Sequence, residues 1–295
     1  MVEPMQLPGT HKAADAQARA FQRELFRLQA AELCGLVAAA MLFQFQWIVS
    51  DLDVLSLIGA GTLALAIAAR SVMALRKPLQ RWYDARALAE SAKTVAWQFA
   101  VKGSMFPGSL STSESKTELL AKLKTLREDF QSLEVPSDTE DRQVTDEMVR
   151  LRNAPRPMRM DTYRQLRIND QLDWYIKKAA SNKASASRWG WTLFTLEALI
   201  LLLALLRGLG AFTIEWAGVV GATAAAVVAW REAKQHTNLA EAYSVTSHDV
   251  SSLRDQLDDC KTEHEWAEFV HDAEAAFSRE HTTWRARRQH VAQPN

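Results

Sequence analysis

Long apolar runs alternate with strongly charged segments along this chain, and the alternation predicts its elements. Four runs with almost no charge place membrane-spanning helices at about 33–50, 54–75, 189–206 and 211–230. Each comes close to the ~20 apolar residues that a helix needs to cross the hydrocarbon layer. A very short turn joins the two runs of each pair, so we predict two transmembrane hairpins. A soluble bundle with four buried helices is the alternative.

The charged segments carry apolar residues at helical spacing. Phe21, Leu25 and Leu28 recur on one face before the first span. A longer stripe lies near the end of the chain and contains Trp266, Phe269, Val270, Ala273 and Phe277. The predicted fold class is therefore all-α: a helical membrane protein with four transmembrane helices in two hairpins, and long cytosolic helices that form a bundle or coiled-coil region.

Breaks in the pattern suggest how the chain is divided. A Gly/Pro/Ser-rich stretch covers 102–115, and Ser115 with Glu118 can form a capping box that opens the next helix. A long helix with a Leu-Ala-Glu triplet follows each hairpin, which is a weak internal repeat. We predict a first hairpin unit at 1–110, a helical linker at 111–160, and a second hairpin unit with C-terminal cytosolic helices at 161–295.

Charge placement predicts the orientation of the hairpins. Lys and Arg cluster before the first and third runs and after the second and fourth, whereas Asp51 and Asp53 lie in the first turn. The positive-inside rule then puts both hairpin tips outside and both termini in the cytoplasm. Tryptophans fall at the ends of the runs, where an aromatic belt is expected: Trp47, Trp189, Trp191, Trp216 and Trp230.

Composition adds two exclusions. The 35 basic and 35 acidic side chains cancel, so no global field favours a nucleic-acid partner. Cys34 lies in an apolar run and Cys260 in a charged helix, which argues against a disulfide between them and fits a chain that faces the cytosol.

The sequence contains no recognisable catalytic constellation. It has no Gly-rich phosphate loop, nucleophile elbow or zinc-type Cys/His pattern, so we predict no enzyme activity, no catalytic residue and no cofactor. His264 and His271 could share a helix face and hold a metal ion. Solvated histidines on a charged helix are the interpretation that we prefer, so no metal site is predicted.

Glu197 lies in the middle of the most apolar run and is the main candidate for function. One hypothesis makes it a polar contact between helices, with Gln44 and Gln46 of the first span as partners. The other places it on a water-filled path between subunits, where a ring of carboxylates would favour cations. Small residues four apart on the fourth run predict a helix-packing face: Ala217, Gly221 and Ala225.

Several segments also resemble a known family. QVTDEMVRLRNAP, YRQLRINDQLDWYIKKA from Tyr163, HTNLAEAYSVTSHDV from His236 and EWAEFVHDAEAAFSREHTTWRARR from Glu265 are similar to the bacterial SLATT family. RWYDARALAESAKTVAWQFAV in the first half resembles another subtype, so the likeness is that of a tandem arrangement. SLATT proteins carry a two-transmembrane hairpin and are associated with nucleotide-signal sensors in conflict systems.

The resemblance implies a membrane effector of anti-phage defence in the bacterial inner membrane. We expect a homo-oligomer in the lipid bilayer that forms a channel or disrupts the membrane when triggered. A separate cytosolic sensor or a nucleotide second messenger would supply the signal, because no fused sensor domain is recognisable. The alternative function is a non-conducting membrane anchor that recruits a cytosolic partner through its helical region.

Overall fold

The computed structural model describes residues 5–133, 142–210 and 216–291, with side chains up to Phe277. The described residues are almost entirely helical, which confirms the predicted helical fold. The helices are α1 Gly9–Leu42, α2 Val54–Arg76, α3 Pro78–Val101, α4 Thr112–Asp129, α5 Asp146–Asn153, α6 Arg156–Tyr163, α7 Asp170–Gly208, α8 Trp216–Lys234, α9 His236–Gln256 and α10 Glu263–Val291.

Short elements join some of these helices. A π-helical segment, Arg164–Asn169, links α6 to α7 without a break, and 3₁₀ turns cover Gln131–Leu133 and Leu257–Asp259. Two strands of two residues, β1 Ile48–Val49 and β2 Leu52–Asp53, pair antiparallel at the tip of the first hairpin. Ser50 and Asp51 between them have positive φ, as a tight two-residue hairpin turn requires.

The chain forms two compact units. Unit 1 combines Met1–Gln22, Leu79–Lys177 and Tyr243–Asn295. Its centre is α3, which contributes residues to all three buried apolar clusters of this unit. Helix α3 is rich in alanine, and its small side chains let α1, α4 and α10 pack close around it.

The predicted stripe on α10 lies in the core of unit 1. Trp266, Phe269, Val270, Ala273 and Phe277 are all buried there and pack with residues of α3, α7 and α9. The periodicity therefore identified the correct face of this helix. That face packs as part of a helical bundle.

Unit 2 combines Arg23–Pro78 and Lys178–Ala242 and has the opposite distribution of side chains. Its buried positions are small residues, among them Ala39, Ala66 and Ala224, whereas large apolar side chains such as Leu65 (71% exposed) point outward. Membrane helices pack in this way because lipid is as apolar as leucine and only small residues allow the backbones to approach closely.

Aromatic contacts arrange the helices of unit 2. The rings of Phe26 and Trp230 lie 6.0 Å apart, and those of Phe45 and Trp216 lie 5.5 Å apart. Helix α8 therefore runs antiparallel to α1, with Trp230 near its end against the middle of α1 and Trp216 at its start against the turn that follows α1. Trp189 on α7 lies 6.5 Å from Trp230, so α7 and α8 are adjacent as well.

Three helical stretches among the described residues are long and apolar enough to cross a membrane: Gly9–Leu42, Val54–Arg76 and Arg156–Gly208. None of the apolar window of the third stretch is buried. The predicted fourth span, 211–230, begins at 211–215, outside the described residues. The count of four spans and the predicted domain boundaries stay predictions.

Two local expectations differ from the structure. Helix α1 ends at Leu42, well before the predicted end of the first span near 50, because the chain turns there and Asp53 accepts a hydrogen bond from the Trp47 N–H. The capping box belongs to Ser111 and Glu114, one turn earlier than predicted from Ser115 and Glu118.

Candidate functional site

Glu197 lies on an exposed face of α7 within unit 2. Phe194, Leu201 and Leu205 are exposed on the same helix. The carboxylate of Glu197 makes no hydrogen bond or ion pair with the described residues. Thr195 lies beside it in sequence, and its hydroxyl donates to the Trp191 carbonyl at 2.8 Å, as internally satisfied polar groups in membrane helices do.

Gln44 and Gln46, the predicted partners of Glu197, lie beyond the end of α1. Gln44 is in the turn that follows Leu42, and Gln46 is exposed in the extended segment before β1. The amide of Gln44 lies close to Gly218 at the start of α8. The structure therefore does not bring these amides to the carboxylate of Glu197.

The small residues proposed as a packing face lie on α8. Ala225 is exposed, and Ala217 and Gly221 are partly exposed. A Cβ built on Gly221 meets nothing within 4 Å, so this face has open space beside it. Tight contacts in unit 2 lie elsewhere, and one of them joins two helices: a Cβ on Gly35 of α1 would meet Ala66 Cβ and the Thr62 carbonyl of α2, each at 3.1 Å.

Unit 1 contains a buried ion pair that the sequence analysis did not identify. Arg167 in the π-helical segment donates to both carboxylate oxygens of Glu274 on α10, at 2.8 and 2.6 Å. The two side chains are 1% and 0% exposed. Tyr163 and Thr94 donate their hydroxyls to the same carboxylate, each at 2.9 Å. Four donated hydrogen bonds thus hold Glu274 in the core.

This network shifts the protonation equilibria of its members. Burial alone would lower the pKa of Arg167, but the adjacent Glu274 charge and its hydrogen bonds raise that pKa above its ordinary value. Burial next to the same carboxylate raises the pKa of Tyr163. Burial, together with repulsion from Arg167, lowers the pKa of Lys93 to about 8.

A second buried arginine binds backbone carbonyls at the C-terminal end of α3 and in the loop that follows. Arg152 on α5 donates to the carbonyls of Phe99 and Phe106 at 3.0 and 2.9 Å, and to the Ser115 hydroxyl at 2.6 Å. Carbonyls at 3.2 and 3.4 Å complete the set, those of Pro107 and Leu110. Burial and the nearby Arg159 lower the pKa of Arg152 to about 10.

Arg159 and α10 complete this arrangement. Arg159 donates to both carboxylate oxygens of Glu263, at 2.6 and 2.8 Å, and to the Val101 carbonyl at 2.8 Å. The indole N–H of Trp266 donates to that same carbonyl at 2.7 Å. The start of α10 is therefore tied to the last turn of α3 through polar contacts.

A sequence signal for two of these arginines did exist. Arg152 follows the buried Met148 by four positions, and Arg167 follows the buried Tyr163 by four, so helical register places both on the buried face. Nothing local marks Glu274 as the partner of Arg167.

The histidines considered as metal ligands are exposed on α10. The Nδ1 atom of His264 lies 3.7 Å from Glu268, and His271 faces away from the core. No group of three or more metal-ligating side chains occurs within the described part of the chain.

A unit whose large apolar side chains face outward, together with helices long and apolar enough to span a membrane, is typical of a membrane protein. Two family models match the chain in tandem. The model described as SMODS and SLOG-associating 2TM effector domain 3 matches residues 8–160, and effector domain 1 of the same description matches residues 163–284. The chain therefore belongs to the SLATT family of two-transmembrane effector domains. No curated protein and no solved structure matches it.

Proposed function

We propose that this chain is a membrane effector of bacterial anti-phage defence that self-associates and opens an ion path when a cytosolic signal or sensor triggers it. Its family consists of effector domains of SMODS and SLOG conflict systems, which fits a membrane effector. The observation that carries the ion path is the exposed Glu197 carboxylate on an apolar helix of unit 2.

The energetic argument starts from the cost of that carboxylate. A charged side chain at the centre of a membrane helix costs about 3 kcal/mol on insertion scales. No described group of the same chain offsets this cost for Glu197. A second copy or a column of water on this face would offset it, and Glu197 residues from several copies around a water-filled path would favour cations over anions.

A four-span topology accompanies the proposal. Unit 1 is built from three segments that precede, separate and follow the two hairpins. Segments that pack into one compact unit lie on one side of a membrane, which supports a topology in which each hairpin crosses the membrane and returns. The open face of α8 around Gly221 offers a place for close helix packing between copies. The positive-inside rule places unit 1 and both termini in the cytoplasm of the inner membrane.

A non-conducting anchor is the second candidate. The observation that favours it is the well-packed core of unit 1, with aromatic residues from α3, α6, α7 and α10 and a buried polar network. A helical module of this kind could recruit a cytosolic partner while the hairpins only hold it at the membrane.

Ion flux from liposomes separates the two candidates. We expect the purified full chain, reconstituted in potassium-loaded vesicles, to release potassium and to prefer it over chloride. Glu197→Gln should lower the potassium-to-chloride permeability ratio severalfold. Thr195→Val is the matched control, since this neighbouring hydroxyl is already satisfied by the Trp191 carbonyl and its loss should leave the ratio unchanged.

Expression in cells covers the case in which the resting protein is closed. We expect wild-type chains to depolarise the membrane when a phage infection supplies the signal, and Glu197→Gln chains to do so less. If inserted wild-type protein leaks no ions in vesicles and depolarises no infected cells, while it still binds a cytosolic partner, the anchor function is correct.

A further inference from the structure

The helical run Arg156–Gly208 contains one wide turn just before α7, the π-helical segment Arg164–Asn169. A π turn holds one residue more than an α-helical turn and is uncommon, so contacts elsewhere must stabilise it. Helix α7 continues without a break from Asp170 to Gly208 and carries Glu197. The geometry of the wide turn therefore sets the rotational position of every residue further along α7.

The contacts that hold the wide turn come from the C-terminal part of the chain. Arg164 at its start pairs with Asp258, and Arg167 in its middle makes the two-pronged pair with Glu274 of α10. Tyr163, the residue before the turn, donates to that same carboxylate. Each of these partners lies about ninety or more positions away along the chain, so the turn depends on tertiary contacts.

Arg167 depends on α10 for its solvation. Its guanidinium carbon lies 4.5 Å from the centre of the Phe277 ring, and its Nη1 atom has no hydrogen-bond partner among the described residues. Glu274 is the carboxylate that pairs with it. Without Glu274 the guanidinium would lose the carboxylate that accepts two of its hydrogen bonds, and a buried charge that loses such a partner is strongly unfavourable.

We propose that α10 is a latch that keeps this turn wide, and that its release rotates α7 about its own axis. When Glu274 leaves, Arg167 must move to water, and the turn then rewinds as an α-helix. One residue passes from the wide turn into the regular helix, which rotates the rest of α7 by about 100° and shifts it by about 1.5 Å along its axis. Glu197 then faces a different direction. The consequence for ion flux rests on the proposed function, whereas the rotation does not.

Spin labels measure the rotation directly. The full chain, with Cys34→Ala and Cys260→Ala, receives single cysteines one at a time at positions 198–205 and is reconstituted in vesicles. Oxygen accessibility of the labels should follow the helical period, and its phase reports the face of α7 that meets lipid. We expect Glu274→Gln to shift this phase by about 100°, with faster hydrogen exchange in α10.

Two controls isolate the mechanism. Glu268→Gln changes an exposed carboxylate of the same helix and should shift neither the phase nor the exchange rate. Deletion of Asn169 removes the extra residue, so an ordinary α-helix then gives the latched direction of α7. In this deletion background Glu274→Gln should release α10 and leave the phase unchanged.

If Glu274→Gln prevents folding, Glu274→Asp replaces it in the chain that retains Asn169. We then expect a mixture of the two phases.

Three results would overturn the latch. The first is that α10 is released while the phase stays constant. The second is that Glu274→Gln and Glu274→Asp both leave the hydrogen exchange of α10 unaltered. The third is a phase shift that persists in the chain without Asn169. Rotation of α7 without any ion flux would support the latch and contradict the proposed channel. Ion flux that depends on Glu197 while the phase stays constant would support the channel and contradict the latch.

Discussion

At the scale of single residues, buried cations do most to define unit 1. The described hydrogen bonds of Arg152 go to neutral oxygens, and four of these are carbonyls near the C-terminal end of α3 or in the loop that follows. The last carbonyls of a helix carry partial negative charge. They therefore replace the counterion that a buried guanidinium usually needs.

Arg152→Met should destabilise the protein by about 3 kcal/mol, because it leaves several buried carbonyls without donors. Arg152→Lys should recover little, since one ammonium group cannot reproduce a planar fork with several donors. Thermal unfolding of the full chain in detergent measures both. Arg150→Met, on the same helix but in an exposed pair with Glu147, is the control and should stay near wild type.

The buried Lys93 should make the stability of the folded chain depend on pH. Its pKa is about 8 in the folded chain against 10.5 for the ordinary side chain, so the unfolded chain binds more protons between these values. The free energy of unfolding therefore rises with pH between the two pKa values, about 8 and 10.5. Below pH 8 both states hold the proton, and the buried charge of Lys93 lowers the free energy of unfolding by a constant amount. Lys93→Met removes the effect and should stabilise the protein by roughly 2–3 kcal/mol at pH 7.

The difference in melting temperature between Lys93→Met and wild type should shrink as the pH is raised from 7 to 10. Lys124→Met, at an exposed position, should show no such trend. A difference that stays constant over this range would mean that Lys93 keeps its charge in the folded state.

At the scale of elements, we expect the same substitution at two glycines of unit 2 to have opposite effects on stability. Gly35→Leu places a side chain against Ala66 and the Thr62 backbone, where even a Cβ would be only 3.1 Å away, so α1 and α2 must separate and the melting temperature should fall by several degrees. Gly221→Leu enters open space and should leave the fold of the monomer intact. If copies pack through this face, cross-linking in vesicles should show fewer oligomers for Gly221→Leu only.

The elements also show how far the sequence leads. The core face of α10 follows from periodicity, because one helix buries one stripe. The end of α1 at Leu42 could not be foreseen, since residues 43–49 carry no charge and continue the apolar run, with only the two amides of Gln44 and Gln46 among them. Their course depends on Phe43 packing against Gly59 and on the Asp53 carboxylate accepting the Trp47 N–H.

The candidate site, like the helices, could be predicted from the sequence only in part. Glu197 stands out in the sequence because a carboxylate in an apolar run needs a reason, and the structure places it on an exposed face of α7. The pair of Arg167 and Glu274 does not stand out. Its members are separated by 107 positions and meet only because α10 folds back onto α3 and the π-helical segment.

At the scale of the whole molecule, the assembly of unit 1 from three separate segments makes a topological prediction. Ser50 lies at the tip of the first hairpin and Cys260 lies in unit 1, so the two should face opposite sides of the membrane. In intact spheroplasts of a Cys34→Ala, Ser50→Cys chain, a membrane-impermeant maleimide should label position 50 and leave Cys260 unmodified.

Detergent permeabilisation should then expose Cys260, which is partly exposed in unit 1 and so is accessible once the reagent can enter. The second hairpin is tested with Gly210→Cys, because Gly210 lies just after the end of α7 at Gly208 and should react like position 50. Labelling of Gly210→Cys only after permeabilisation would mean that α7 and α8 do not cross. The segments of unit 1 would still share one side in that case, but Glu197 would lie outside the membrane and no ion path could be built on it.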